Sequence, residues 1–121
     1  MSALDLANTF KSHLEAGDES GARACFKPDA GIWHNYDRKT QTVDQNMSTF
    51  KNIISKTRSR TYDIQRMVEI PGGWMQQHIL RVETLDGKTI EADAIAVVLI
   101  EDGKIARIEE YLDPTPLASL R

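Results

Sequence analysis

The stretch TYDIQRMVEIPGGWMQQHILRVETLDGKTIEADAIAVVLIEDGKIARIEEYLD, residues 61–113, decides the fold. Pro71-Gly72-Gly73, Asp86-Gly87 and Asp102-Gly103 are turn signals, and between them run segments rich in β-branched and aromatic residues without a helical period. The pattern predicts a four-strand antiparallel meander from Thr61 onward. Pro114 and Pro116 stop the last strand, since proline has no N–H to give a ladder, and leave a short tail to lie over one end of the sheet.

Outward from the meander, the N-terminal half reads as helical. Ala3, Ala7, Phe10 and Leu14 recur at helical spacing, and Gly17 follows as a left-handed cap, which predicts a first helix from Ser2 to Ala16. Asp18 or Ser20 then caps a short second helix carrying Ala22, Cys25 and Phe26 that stops before Pro28. Ala30 to Asn35 reads as a short strand. A third helix follows, with Asp44 as N-cap and Met47, Phe50, Ile53 and Ile54 as the stripe that must face the core. Helices segregated from a meander give an α+β class, with three N-terminal helices packed on a curved antiparallel sheet. Such a cone-shaped α+β barrel encloses a pocket, the kind of concave space where small molecules bind.

The 121 residues, 40% of them hydrophobic, form one domain spanning 1–121 with a core of its own. The net charge of −3 gives no electrostatic ground for a nucleic-acid partner. The basic cluster Lys56-Thr57-Arg58-Ser59-Arg60 reads as cations offsetting the dipole of the helix before it. Lone Cys25 has no disulfide partner in the chain and reads as a small core residue. The N-terminus lacks the basic and apolar regions of a leader, and the longest apolar stretch, Ala94 to Ile100, is too short to span a bilayer, so the expectation is a cytoplasmic protein with no membrane partner. Three histidines without short-range ligand spacing argue against a zinc site.

The order of elements, with Cys25-Phe26-Lys27-Pro28-Asp29-Ala30 leading into Ile32-Trp33-His34-Asn35, the Asp102-Gly103-Lys104-Ile105 turn and the closing Glu110-Tyr111-Leu112-Asp113-Pro114, resembles the nuclear transport factor 2-like superfamily and its SnoaL-like branch. The resemblance covers nearly the whole chain. It implies a homodimer whose pocket takes a small, largely apolar, oxygen-bearing molecule, with isomerase, cyclase or hydrolase chemistry done by acids and bases and no cofactor. Fold alone does not settle this, because the superfamily also holds non-catalytic modules.

Limonene-epoxide hydrolases resemble this chain at Arg81-Val82-Glu83 and Glu110-Tyr111-Leu112-Asp113, with Glu in place of both of that family's aspartates. The resemblance makes Arg81, Glu83 and Glu110 the catalytic candidates: one carboxylate to take a proton, one carboxylic acid to give one, and a guanidinium to hold both. Trp33 and Asn35 stand where that family positions its water with Tyr and Asn, which makes Trp33, His34 and Asn35 substrate-binding candidates, Trp33 at the pocket mouth. A ketosteroid-isomerase-like reading instead offers His34 as the base, because imidazole titrates near neutrality.

Strand parity bears on the choice. A two-residue Asp86-Gly87 turn puts Arg81 opposite Ala92, on a pocket floor shared with Ile90 and Ala94, and turns His78 to the other face, toward a dimer partner. A two-residue Asp102-Gly103 turn places Glu109 on the pocket face, whereas a three-residue turn ending in a Gly103 bulge places Glu110 there, and the family motif favours Glu110. The continuous apolar run Val97 to Ile100 reads as a strand covered on both faces, by helices and by a second subunit. The rival to an enzyme is a ligand-binding or dimerisation module whose pocket charges only hold the fold.

Overall fold

The computed structural model describes residues 2–120. Its elements are α1 (Ala3–Ala16), α2 (Glu19–Ala24), β1 (Phe26–His34), β2 (Thr40–Thr42), α3 (Val43–Lys56), β3 (Thr57–Ile70), β4 (Gly73–Thr84), β5 (Thr89–Glu101), β6 (Lys104–Leu112) and a closing 3-10 turn, Thr115–Leu120. One six-stranded sheet runs β2-β1-β6-β5-β4-β3, so the meander β3 to β6 forms as its turn signals require. The helices pack on its concave side, which gives the α+β class.

Local chemistry fixes the helices. Ser2 and Asp5 form a capping box at the start of α1, and Gly17 at φ 69° closes its end, with the N–H groups of Gly17 and Asp18 donating to the carbonyls of Leu14 and His13. Thr42 and Gln45 form a second capping box on α3. This corrects the expected cap at Asp44, which lies one residue inside the first turn, where its charge still suits the helix dipole. The basic cluster divides, with Lys56 in the last turn of α3 as expected. Thr57 to Arg60 open β3, and Arg60 reaches back to the carbonyls of Leu14 and Glu15, so it caps α1 rather than α3.

Two further corrections concern β1. The second helix ends at Ala24, and Phe26, expected on it, begins a nine-residue strand instead of the short one over Ala30 to Asn35. Because the chain returns from β5 in the same direction, β1 pairs with β6 in parallel, so the sheet is mixed rather than wholly antiparallel. Proline at position 28 is tolerated where the β1–β6 register is broken between Phe26 and Gly31.

The core lies between sheet and helices. Leu6, Ala7, Met47 and Phe50 from the helices meet Ile32, Trp74, Val98 and Ile108 from the strands. Gly73 is obligatory there, since a Cβ would sit 1.8 Å from the carbonyl oxygen of Val98 on the neighbouring strand. Cys25 is a buried core residue. Leu120 is buried, and its carbonyl accepts from Asn52 Nδ2 at 2.7 Å, so the tail folds over the mouth of the sheet against α3.

Candidate functional site

Two hairpins decide which residues face the concave side. At the first, Leu85-Asp86-Gly87 form a three-residue loop, with the Thr84 N–H donating to the Lys88 carbonyl at 2.8 Å and Gly87 at φ 86°. Arg81 therefore pairs with Glu91, and Leu80 with Ala92. One extra residue in the loop reverses the parity derived from a two-residue turn. Trp74, Gln76, His78 and Leu80 face the cavity, while Arg81 and Glu83 face away from it. The Arg81 guanidinium is bound instead by Asp63 and, at 2.5 Å, by Glu91, on the half-exposed outer face. The expected cluster of Arg81, Glu83 and Glu110 is not assembled.

At the second hairpin, Asp102 and Gly103 both have positive φ, 53° and 74°, which makes a two-residue turn joining Glu101 to Lys104. The bulge lies further along. Ile100 pairs with Ile105 and Leu99 with Arg107, leaving Ala106 as the extra residue in β6. Glu110 consequently pairs with Ala96 and lines the cavity, whereas Glu109 pairs with Val97 and binds Arg107 on the outer face.

The cavity measures about 600 Å³. Its walls are largely apolar, with Phe10, Leu14, Ile53, Leu80 and Leu117 among them, and a volume of this size suits a small organic ligand. At its polar end Glu110 sits between two histidines. His34, its partner across the parallel β1–β6 ladder, places Nε2 3.3 Å from Glu110 Oε1, and His78 places Nε2 3.9 Å from Oε2. Tyr62 lies beside His78, its ring tilted 57° to the imidazole with centroids 5.3 Å apart. Burial, and secondarily the charge of Glu110, push its phenol far above the ordinary range, so it stays a neutral hydroxyl. Burial also lowers the pKa of His78, an effect that the Glu110 charge opposes.

The remaining expected ligand residues divide. His34 lines the cavity, and Tyr36 stacks beside it at 5.1 Å. Trp33 does not lie at the mouth. Strand alternation turns it to the outer face, where it meets Tyr111 edge-on at 5.3 Å. Asn35 joins strands: its N–H donates to the Glu110 carbonyl at 3.1 Å and its Oδ1 accepts from the Leu112 N–H at 2.9 Å. It thereby fixes the β6 backbone on both sides of Tyr111. Among the described residues no group of three or more His, Cys, Asp or Glu has the arrangement of a metal site, and no helix is long and apolar enough to cross a membrane.

Sequence reasoning missed Gln76, His78 and Tyr62 as cavity residues. The signal was present in β4. Of its two alternating sets, Trp74-Gln76-His78-Leu80-Val82 carries no formal charge pair, whereas Met75-Gln77-Ile79-Arg81-Glu83 ends in two charges that water solvates best.

No protein-family model matches the sequence, and no curated protein matches it. Solved structures do. A candidate SnoaL-like polyketide cyclase from Shewanella denitrificans superposes with a TM-score of 0.81 at 8% identity, covering 98% of this chain and 95% of that one. An NTF2-like protein of unknown function from Burkholderia pseudomallei gives 0.80 at 16% identity, covering 99% and 98%. TerC, crystallised with polyporic acid, gives 0.79 at 16% identity, covering 98% and 96%. The chain thus has the SnoaL-like, NTF2-like fold expected from its motifs.

Proposed function

We propose that the cavity binds a small, largely apolar, oxygen-bearing molecule and moves a proton on it, with Glu110 as the group that takes and returns the proton and with no cofactor. The observation that carries this reading is the Glu110 carboxylate held between His34 and His78 at the polar end of an otherwise apolar cavity. A carboxylate in such a place is poised for general base work, because the apolar walls exclude water that would compete for the proton. Similarity to TerC, crystallised with polyporic acid, and to a candidate polyketide cyclase supports a ligand of this kind.

The chemistry follows from the groups present. With a ketone whose carbonyl oxygen lies against His78, the adjacent C–H bond breaks, its proton passes to Glu110, its bonding pair becomes a C=C bond, and the C=O π pair moves onto the oxygen. Donors facing that oxygen stabilise the charge as it forms. Return of the proton to another carbon completes an isomerisation. Attack of the enolate carbon on a second carbonyl of the same molecule, with the proton delivered to the new alkoxide, closes a ring.

The test is proton exchange. Incubated with 2-tetralone in D2O, the wild-type chain is expected to accelerate deuterium uptake beside the carbonyl, and Glu110→Gln to lose that acceleration by about 10²–10⁴-fold, the usual worth of a positioned base. Binding of 2-naphthol without any acceleration by the wild type would instead make the site a binding module.

A further inference from the structure

The polar end of the cavity contains a chain of hydrogen bonds whose direction is fixed by its first member. Trp74 is buried, and its indole Nε1 can only donate. It donates to Gln76 Oε1 at 2.8 Å. That bond decides which way the amide lies, so the other end, Nε2, is the end that meets His78 Nδ1 at 2.9 Å. An amide nitrogen is also only a donor. His78 Nδ1 must therefore accept, and the ring proton of the neutral imidazole must be on Nε2.

We propose that Trp74 and Gln76 are positioning residues that hold His78 as its Nε2–H tautomer, making it a fixed donor to an acceptor oxygen, carbonyl or phenol, of a ligand lying against Glu110. The proposal deepens the acid-base reading above and rests on it for the ligand, though not for the tautomer.

Geometry supports the availability of that donor. At 3.9 Å, Glu110 Oε2 lies beyond hydrogen-bond range of His78 Nε2, while both residues line the cavity. A ligand oxygen approaching His78 from the cavity, beside Glu110 rather than between the two side chains, finds an N–H that is already oriented. A histidine able to switch tautomers would present a lone pair part of the time, and would then repel the same oxygen. Adding a second proton to His78 would also set an Nδ1–H against the Gln76 Nε2–H, so the relay itself resists protonation in addition to the effect of burial. The roles then separate: His78 donates without giving up its proton, and Glu110 carries the proton that moves.

Long-range nitrogen-proton correlation spectra of the chain labelled with ¹⁵N-histidine read the tautomer directly. Wild-type His78 is expected to show an unprotonated Nδ1 and a protonated Nε2. In Gln76→Glu both side-chain oxygens are acceptors, so the one left over by Trp74 should draw a proton onto Nδ1. A wild-type Nδ1–H, or an Nδ1 that stays bare in Gln76→Glu, overturns the proposal. If Gln76→Glu does not fold, Trp74→Phe takes its place, since it keeps a ring and frees the amide to turn. A population with protonated Nδ1 then supports the relay, and an unchanged single tautomer overturns it. On adding carbonyl-labelled 2-tetralone, the ¹³C signal should move downfield in the wild type and not in His78→Phe, and equal shifts in both overturn the ligand half. Failure of the acid-base reading shows separately, as unaccelerated deuterium exchange with the His78 spectrum unaltered.

Discussion

Ala92, on the floor of the cavity, tests whether the space beneath it is real. It is buried, 4% exposed, and pairs across the ladder with Leu80. It lies four residues along β5 from Ala96, the partner of Glu110, a distance of roughly 13 Å at about 3.3 Å per residue. Ala92→Leu adds three carbons to a cavity of about 600 Å³, far more room than they need. At about 0.8 kcal/mol per buried carbon the gain is roughly 2.4 kcal/mol. Fixing the leucine rotamer costs about 0.5–1 kcal/mol, which leaves a net stabilisation of about 1.4–1.9 kcal/mol. Urea unfolding should show a higher midpoint with an unchanged slope, and Tm should rise by several degrees. Affinity for 2-naphthol should fall, since the same space is taken. If the site were closely packed, the added carbons would instead cost about 1–3 kcal/mol through overpacking, and a midpoint lowered by that amount would refute the cavity.

Four further outcomes are expected. Because His78 has a lowered pKa when folded, the unfolded chain binds the extra proton first, so stability should be full above about pH 6.5 and fall as the pH drops below it toward the folded pKa. Denaturant unfolding at pH 7.5 and 5.5 should show that fall shrinking in His78→Gln, and an unchanged fall would remove His78 as its source. Carboxylates such as half-exposed Asp18 and exposed Asp113, whose pKa values hydrogen bonds lower, act only below about pH 4 and leave that window clear. Arg81→Ala should leave 2-naphthol affinity within about twofold, a change of about 0.4 kcal/mol, because its partners Asp63 and Glu91 are on the outer face, whereas a tenfold loss would return Arg81 to the site. Gly73→Ala should destabilise the chain by at least about 3 kcal/mol, since its Cβ cannot clear the Val98 carbonyl without parting β4 from β5, and a neutral variant would show that the strands separate more easily. Ile95, Leu99 and Tyr111 are exposed on the outer face, and we propose that they meet a second copy of the chain. Light scattering at micromolar concentration should report a dimer that Leu99→Arg dissociates, and a wild-type monomer would refute it.

What could be read from residues alone depended on how far each signal reached. Turn dipeptides, caps and apolar periodicity are local, and they placed the helices and the meander to within a few residues. Facing is not local. It depends on whether the loop length is odd or even, and Asp86-Gly87 serves a two-residue turn and a three-residue loop equally well. That ambiguity moved Arg81 and Glu83 to the wrong side and hid His78. Glu110 was assigned to the cavity face by the family motif, yet the displaced residue is Ala106 rather than a bulged Gly103. The parallel docking of β1 was invisible for another reason. No spacing rule links His34 to Glu110, whose contact exists only once the sheet has closed.

That docking makes the site a record of complete folding. His34 and Glu110 come from opposite ends of the chain, held together by the parallel ladder and by Asn35, while the meander between them can form from neighbouring hairpins. Closing a loop of that length costs entropy that is recovered only when strands and helices pack together, so such contacts tend to form late. A chain with its meander paired but β1 undocked would possess Glu110 and His78, yet lack His34 and the wall that excludes water. Ligand occupancy then acts as a latch on the last-made seam, and any molecule that fits should slow the exchange of backbone amides in β1 more than those in β4.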